Sequence, residues 1–187
     1  MFRLAVLASH NGSGLDALYK ACKDKVLNIE IVLVISNNTD AVVLQKASSN
    51  GIENFIINNK THNNPDEAIE SLLRKYSVDY VYLSGYMKKI SKQTTRMFKI
   101  INSHPALLPS YGGQGMYGRF VHEAVIKNNE GYSGVTIHHV NEEFDKGEII
   151  LQKKLKLSSD ETVDSLESKI KKLEQTAIVE GFTLCLK

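Results

Sequence analysis

Asn102 and His104 stand two residues apart after the apolar run Phe98 to Ile101. They belong to the string Asn102-Ser103-His104-Pro105-Ala106-Leu107-Leu108-Pro109, which holds two of the chain's three prolines. Proline fixes φ and turns the preceding residue away from the α region, so His104 and Leu108 are expected to be extended. The segment reads as a short strand ending in a stiff loop that carries both polar residues. In extended chain, residues i and i+2 point the same way. An amide and an imidazole facing one point suit the polarising of a carbonyl and the transfer of a proton. On this segment alone, a rigid turn with a polar strand end is an equal alternative.

A second candidate is Asn11-Gly12-Ser13-Gly14, between an apolar strand and a helical pattern. Free backbone N–H groups and the positive end of a helix dipole make such a loop a phosphate cradle, and Ser13 adds a hydroxyl. It lacks the glycine spacing and the later acid of a dinucleotide site, and the lysine of a P-loop. An ordinary βα turn stays open. Asp145, in Glu143-Phe144-Asp145-Lys146-Gly147, is by itself a common turn residue. In doubly wound sheets, however, ligands collect at the carboxyl ends of strands. Asn11–Gly14, Asn102/His104 and Asp145 all follow such ends and are expected to converge on one cleft. A carboxylate there keeps an imidazole protonated more of the time. His138 and His139 are neighbours on a strand, so only one can face that cleft. With His10, His62 and His122 they form no metal-ligand spacing, so no metal is expected. Tyr111 and Tyr117 fit either a pocket lining or a flexible surface loop.

These residues need elements to place them, and the apolar pattern supplies them. Strand-like and helix-like segments alternate through the first hundred or so residues, the pattern of βαβ units and a parallel sheet. Strands are expected at about Arg3 to Ala8, Ile29 to Ile35, Phe55 to Ile57, Val78 to Ser84 and Ile100-Ile101. Helices are expected from Leu15, over Asp40 to Asn50 with Gly51 at C′, from Asn64-Pro65 to about Tyr76, from Ser91, and over Arg119 to Lys127. From Tyr132 the pattern changes to two strands, Val135 to Val140 and Ile149 to Leu157, read as an antiparallel pair. A long helix from Thr162 to about Leu184 follows, with Val163, Leu166, Ile170, Leu173 and Ala177 on one face. The fold class is α/β: a single domain, residues 1–187, Rossmann-like, with a mostly parallel twisted sheet flanked by helices, a C-terminal antiparallel strand pair and a long terminal helix.

At 187 residues such a domain buries about 70% of its unfolded surface and needs no staple. Cys22 and Cys185 have no CxxC or metal spacing and read as free buried thiols, in keeping with a reducing compartment. A net charge of +2 is too small to imply a nucleic-acid partner. No run reaches the roughly 18 apolar residues of a membrane span. The apolar start, Met1 to Ser9, reads as a first strand rather than a signal peptide, so a cytoplasmic location is expected.

The motifs together resemble a known family. The Asn11–Gly14 loop, Ser84-Gly85-Tyr86-Met87, the Asn102–Pro109 string, and Gly134-Val135-Thr136-Ile137-His138 running to Asp145-Lys146-Gly147 are similar, over almost the whole chain, to the folate-dependent phosphoribosylglycinamide formyltransferases of purine biosynthesis. The resemblance implies transfer of formyl from the co-substrate 10-formyltetrahydrofolate to the amine of glycinamide ribonucleotide, without a metal or covalent enzyme intermediate. Asn102, His104 and Asp145 fall on the family's catalytic positions. His104 with Asn102 would stabilise the oxyanion, and Asp145 would keep His104 charged and help move the proton. Asn11, Gly12, Ser13, Gly14, Pro105 and Glu174 fall on ribonucleotide-binding positions. Tyr86, Met87, Lys88, Lys89, Ile90, His138 and Val140, with Asn102 and Asp145, fall on folate-binding ones. Small-molecule substrates are the partners implied, with the chain a monomer or homodimer.

The chain departs from the pattern in places. Lys88 stands where many members carry arginine, and His139 where an aromatic or aliphatic residue is usual. No arginine near Lys60 to Asn64 is placed to hold the folate tail. Gly112 to Gly118 is richer in glycine than the usual substrate loop and is expected to be more mobile. The competing readings are a formyltransferase acting on an amino sugar nucleotide or methionyl-tRNA, and a folate- or nucleotide-binding module without catalysis.

Overall fold

A computed structural model describes residues 1–186. The first strands are dense in β-branched and apolar residues, and these are what the sheet buries: Leu4 to Ala8 of β1 (Phe2–Leu7) and its exit, and Leu33 to Ile35 of β2 (Ile29–Ser36), are fully enclosed. Between them lies α1 (Ser13–Lys23), and after β2 come α2 (Val42–Ser49), β3 (Asn54–Ile56), α3 (Pro65–Lys75), β4 (Tyr80–Leu83), α4 (Lys92–Met97) and β5 (Lys99–His104). The chain closes with α5 (Arg119–Lys127), β6 (Tyr132–His139), β7 (Ile149–Lys156) and α6 (Val163–Cys185). The strand order is β3-β2-β1-β4-β5-β6-β7. The β1–β2, β1–β4 and β2–β3 pairs are parallel and β6–β7 is antiparallel, the α/β arrangement expected.

The chain divides into two compact units, Met1–Ile101 and Asn102–Lys187. In the first, local signals account for several boundaries. Asn64 caps α3 by accepting from the Glu67 amide, with Pro65 in the first turn. Gly51, at φ +69, follows the end of α2. That helix is shorter than Asp40 to Asn50, running only from Val42 to Ser49. β4 also starts later than expected, because the Val78 amide is spent on the Leu73 carbonyl as the chain leaves α3.

In the second unit α6 begins with a capping box between Thr162 and Ser165. Its buried residues are Leu166, Ile170, Ala177, Ile178, Gly181 and Phe182, while Val163 and Leu173 are only half-buried. The expected face stepped every 3.5 residues; a straight helix turns every 3.6, so the core stripe drifts away from that line. Gly181 gives α6 its close approach to the sheet, since a Cβ there would sit 2.8 Å from Ile137 Cγ2. Cys22 and Cys185 are half-buried rather than enclosed. Among the described residues no helix is long and apolar enough to cross a membrane.

Candidate functional site

Asn102 and His104 lie inside β5, not in a loop beyond it: His104 is the strand's last residue. Strand alternation puts Ser103 on the other side, where its hydroxyl donates to Glu174 of α6. The Asn102 amide lies 3.1 Å from Nε2 of His138, the buried member of the His138/His139 pair. Nδ1–H of His138 donates to the His139 carbonyl at 2.8 Å.

Asp145 joins the same cluster. Its Oδ2 lies 3.6 Å from Nδ1 of His104 and its Oδ1 3.5 Å from Nε2 of His138. Oδ2 also accepts from the Gly113 amide at 3.0 Å. The backbone that aims this carboxylate is tight: Asp145 itself is in the left-handed region at φ +56. Two residues on, a Cβ at Gly147 would fall on the His139 carbonyl oxygen. Gly147→Ala is therefore expected to cost about 2–3 kcal/mol of stability, the scale of forced backbone shifts in packed sites. An unfolding midpoint within experimental error of the parent would refute that reading.

His104 is 3% exposed, and Nε2–H donates to the Tyr111 carbonyl at 2.7 Å. Burial is the largest influence on its imidazole and pushes it below the ordinary value. The Asp145 carboxylate and the Tyr111 carbonyl pull the other way without prevailing, and His138 adds to the lowering. The expectation that Asp145 keeps His104 charged thus meets an opposing desolvation. For Asp145 the balance is reversed. Burial pushes its carboxyl up, but His138, His104 and the Gly113 amide together hold it below the usual carboxylate range. Glu174 is half-buried, and desolvation raises its carboxyl against the pull of Ser103 and Lys171.

The other singled-out residues of this unit, Pro105 and Val140, are half-buried. In the first unit, Gly12 adopts the left-handed conformation ahead of α1, and Ser13 is the helix's first residue. The cradle expected there is not wholly free: the Gly14 amide donates to Ser84 Oγ at 3.1 Å. Gly14 also has a packing reason to be glycine, because a Cβ would fall on the Tyr82 hydroxyl. In the Tyr86–Ile90 stretch Met87, Lys88 and Lys89 are exposed, whereas Ile90 is buried and turned inward. Burial, helped by Asp66, raises the Tyr86 phenol to about 12. Sequence reading missed the Tyr111 carbonyl and the Gly113 amide, backbone groups with no side-chain signature. Among the described residues no group of three or more His, Cys, Asp or Glu side chains is placed to hold a metal ion.

Chemically, the second unit holds a carboxylate between two imidazoles with a carboxamide on one of them, at the end of β5. The chain is similar to known proteins along nearly its whole length. The formyl transferase family profile matches residues 2–182. The chain is 37% identical over 185 residues to the chloroplastic phosphoribosylglycinamide formyltransferase of Arabidopsis thaliana, covering 95% of this chain but 63% of that protein. It is 35% identical to the phosphoribosylglycinamide formyltransferase of Haemophilus influenzae, covering 93% of this chain and 82% of that one. The crystal structure of the Anaplasma phagocytophilum phosphoribosylglycinamide formyltransferase superposes with a TM-score of 0.86 at 36% identity, over 96% of this chain and 84% of that one. With matches that run along nearly its full length, the chain belongs to the formyl transferase family, among relatives named phosphoribosylglycinamide formyltransferase.

Proposed function

We propose that this protein transfers the formyl group of 10-formyltetrahydrofolate to the amine of glycinamide ribonucleotide, giving formylglycinamide ribonucleotide and tetrahydrofolate in purine biosynthesis. The observation that carries the reading is the Asn102–His138–Asp145–His104 cluster. In this reading the substrate amine attacks the formyl carbon directly, and the new C–N bond places negative charge on the formyl oxygen. The Asn102 amide and the His104 ring stabilise that oxyanion. Nε2–H of His104 is committed to Tyr111, so Nδ1 is the nitrogen left for the reacting groups. Its 3.6 Å from Asp145 Oδ2 is beyond hydrogen-bond range and leaves it unclaimed. Asp145 supports the imidazolium and passes the amine proton, through water, toward the folate nitrogen as the C–N bond to folate breaks. Holding two substrates together supplies much of the rate.

Asn11, Gly12, Ser13 and Gly14 hold the ribonucleotide phosphate at the start of α1, with Pro105 and Glu174 serving the rest of that substrate. Tyr86 to Ile90, His138 and Val140 serve the folate. The two units work as one formyltransferase domain, in a cytoplasmic setting.

The test is steady-state turnover of the purified chain with glycinamide ribonucleotide and 10-formyl-5,8-dideazafolate, read by absorbance of the deformylated product. Release that requires the ribonucleotide is the expected result. Release without it, or none, overturns the assignment and moves the search to amino sugar nucleotides and methionyl-tRNA.

A further inference from the structure

The carbonyl that holds His104 belongs to a residue outside the proposed substrate positions. Tyr111 lies in the left-handed region at φ +57, uncommon for a bulky side chain and costly by about 1–2 kcal/mol. Something must hold it there, and the contacts at its other end do. Its hydroxyl donates to Glu130 Oε1 at 2.6 Å and accepts from Asn128 Nδ2 at 2.8 Å. Asn128 is the C-cap of α5 and Glu130 lies in the short connection to β6, so both sit on backbone set by regular elements. Tyr111 is thus pinned twice, by its ring oxygen to that connection and by its carbonyl to His104.

We propose that Tyr111 is a positioning residue for formyl transfer: its anchor on Glu130 and Asn128 holds its carbonyl against Nε2 of His104 and so commits Nδ1 to the reacting groups. The proposal rests on the formyl-transfer reading. A carbonyl oxygen can only accept, so Nε2 must carry hydrogen in both protonation states of the ring. Nδ1 is then the atom that titrates. Charged, it offers N–H to the oxyanion; neutral, it offers a lone pair to the amine proton. Nδ1 faces Asp145, with His138 on the carboxylate's other oxygen, and the ring also feels His122 of α5. Each of these acts on the charge of the ring. The Tyr111 carbonyl, 2.7 Å from Nε2, fixes a proton on that nitrogen. Without the anchor, Tyr111 relaxes toward negative φ and its carbonyl swings off Nε2. The ring then becomes a mixture of tautomers and loses one of the two groups that favour its charged form.

The test uses the full chain carrying Tyr111→Phe, which keeps the ring and removes only the hydroxyl, with Glu130→Ala approaching the anchor from the other side. Nitrogen NMR of the His104 ring reports tautomer and titration without any substrate. Both variants are expected to shift the titration to lower pH and to reduce the population with hydrogen on Nε2. Turnover should show kcat down about three- to ten-fold, the worth of one hydrogen bond, with KM values within about two-fold. Glu130→Gln, which keeps an acceptor, should behave as the parent. An unshifted titration and tautomer in both Tyr111→Phe and Glu130→Ala, with the parent turning over normally, overturns the Tyr111 assignment alone. A shifted titration in a chain that shows no ribonucleotide-dependent turnover overturns the formyl-transfer reading alone.

Discussion

His104→Ala is expected to lower kcat for ribonucleotide-dependent formyl transfer by about 10³-fold, combining the usual worth of a proton-transfer group with that of an oxyanion donor. KM for both substrates should stay within about three-fold, because the ring acts on charge that exists only as the C–N bond forms. The deletion also leaves a hole, since the side chain is 3% exposed at the end of β5. An unfolding curve must therefore accompany the kinetics, and His104→Asn, which fills part of the space, should be equally slow. The stability data carry a second signal. Burial holds the His104 imidazole below its ordinary value in the folded chain. The unfolded chain then binds more protons between the two values, so stability from this group is present above the unfolded value and lost as pH falls. Removing the ring should flatten that part of the pH–stability profile. A variant that keeps more than a tenth of parental kcat would sink the catalytic assignment.

The part of the site that was legible in the sequence is the part whose geometry is local. Asn102 and His104 share a side because two residues of extended chain always do, and Ser103 faces away for the same reason. The pair belongs to the strand rather than to the loop after it: β5 runs on to His104, the residue before Pro105. His138 rather than His139 turned inward, a choice between two adjacent residues that only the register of β6 settles.

What stayed hidden depends on residues far apart in the chain. Ser84 takes the Gly14 amide across 70 positions, and Ser103 bonds Glu174 across 71. Neither spacing carries a period or a turn signal. Glycine content did mark the stretch from Gly112 to Gly118, and Gly113, Gly115 and Gly118 do adopt positive φ. The purpose of one of them was not visible: the Gly113 amide is a donor to Asp145. Tyr111 is the sharper case. A tyrosine beside two glycines gives no hint that it too would take a left-handed conformation, because the reason lies in Glu130 and Asn128.

Asp145→Asn should separate an enzyme from a binding module with the least structural disturbance. Asparagine matches the carboxylate in size and keeps one oxygen to accept from the Gly113 amide, but it brings no charge. The His104 ring then loses the strongest group opposing its desolvation, and its titration moves further below the ordinary value. With the imidazolium unsupported and no carboxylate to pass the amine proton, kcat is expected to fall about 10²–10³-fold. Ribonucleotide affinity measured by calorimetry should stay within about two-fold, because the phosphate and ribose positions proposed here do not include Asp145. The fold has its own readout. The Asp145 carboxyl is held below the usual carboxylate range in the folded chain, so its contribution to stability is present above the unfolded value and lost as pH falls through the folded one. The variant should therefore be less stable than the parent near neutrality and converge with it in acid. Turnover within about three-fold of the parent would remove Asp145 from the chemistry and leave it as a structural partner of two histidines.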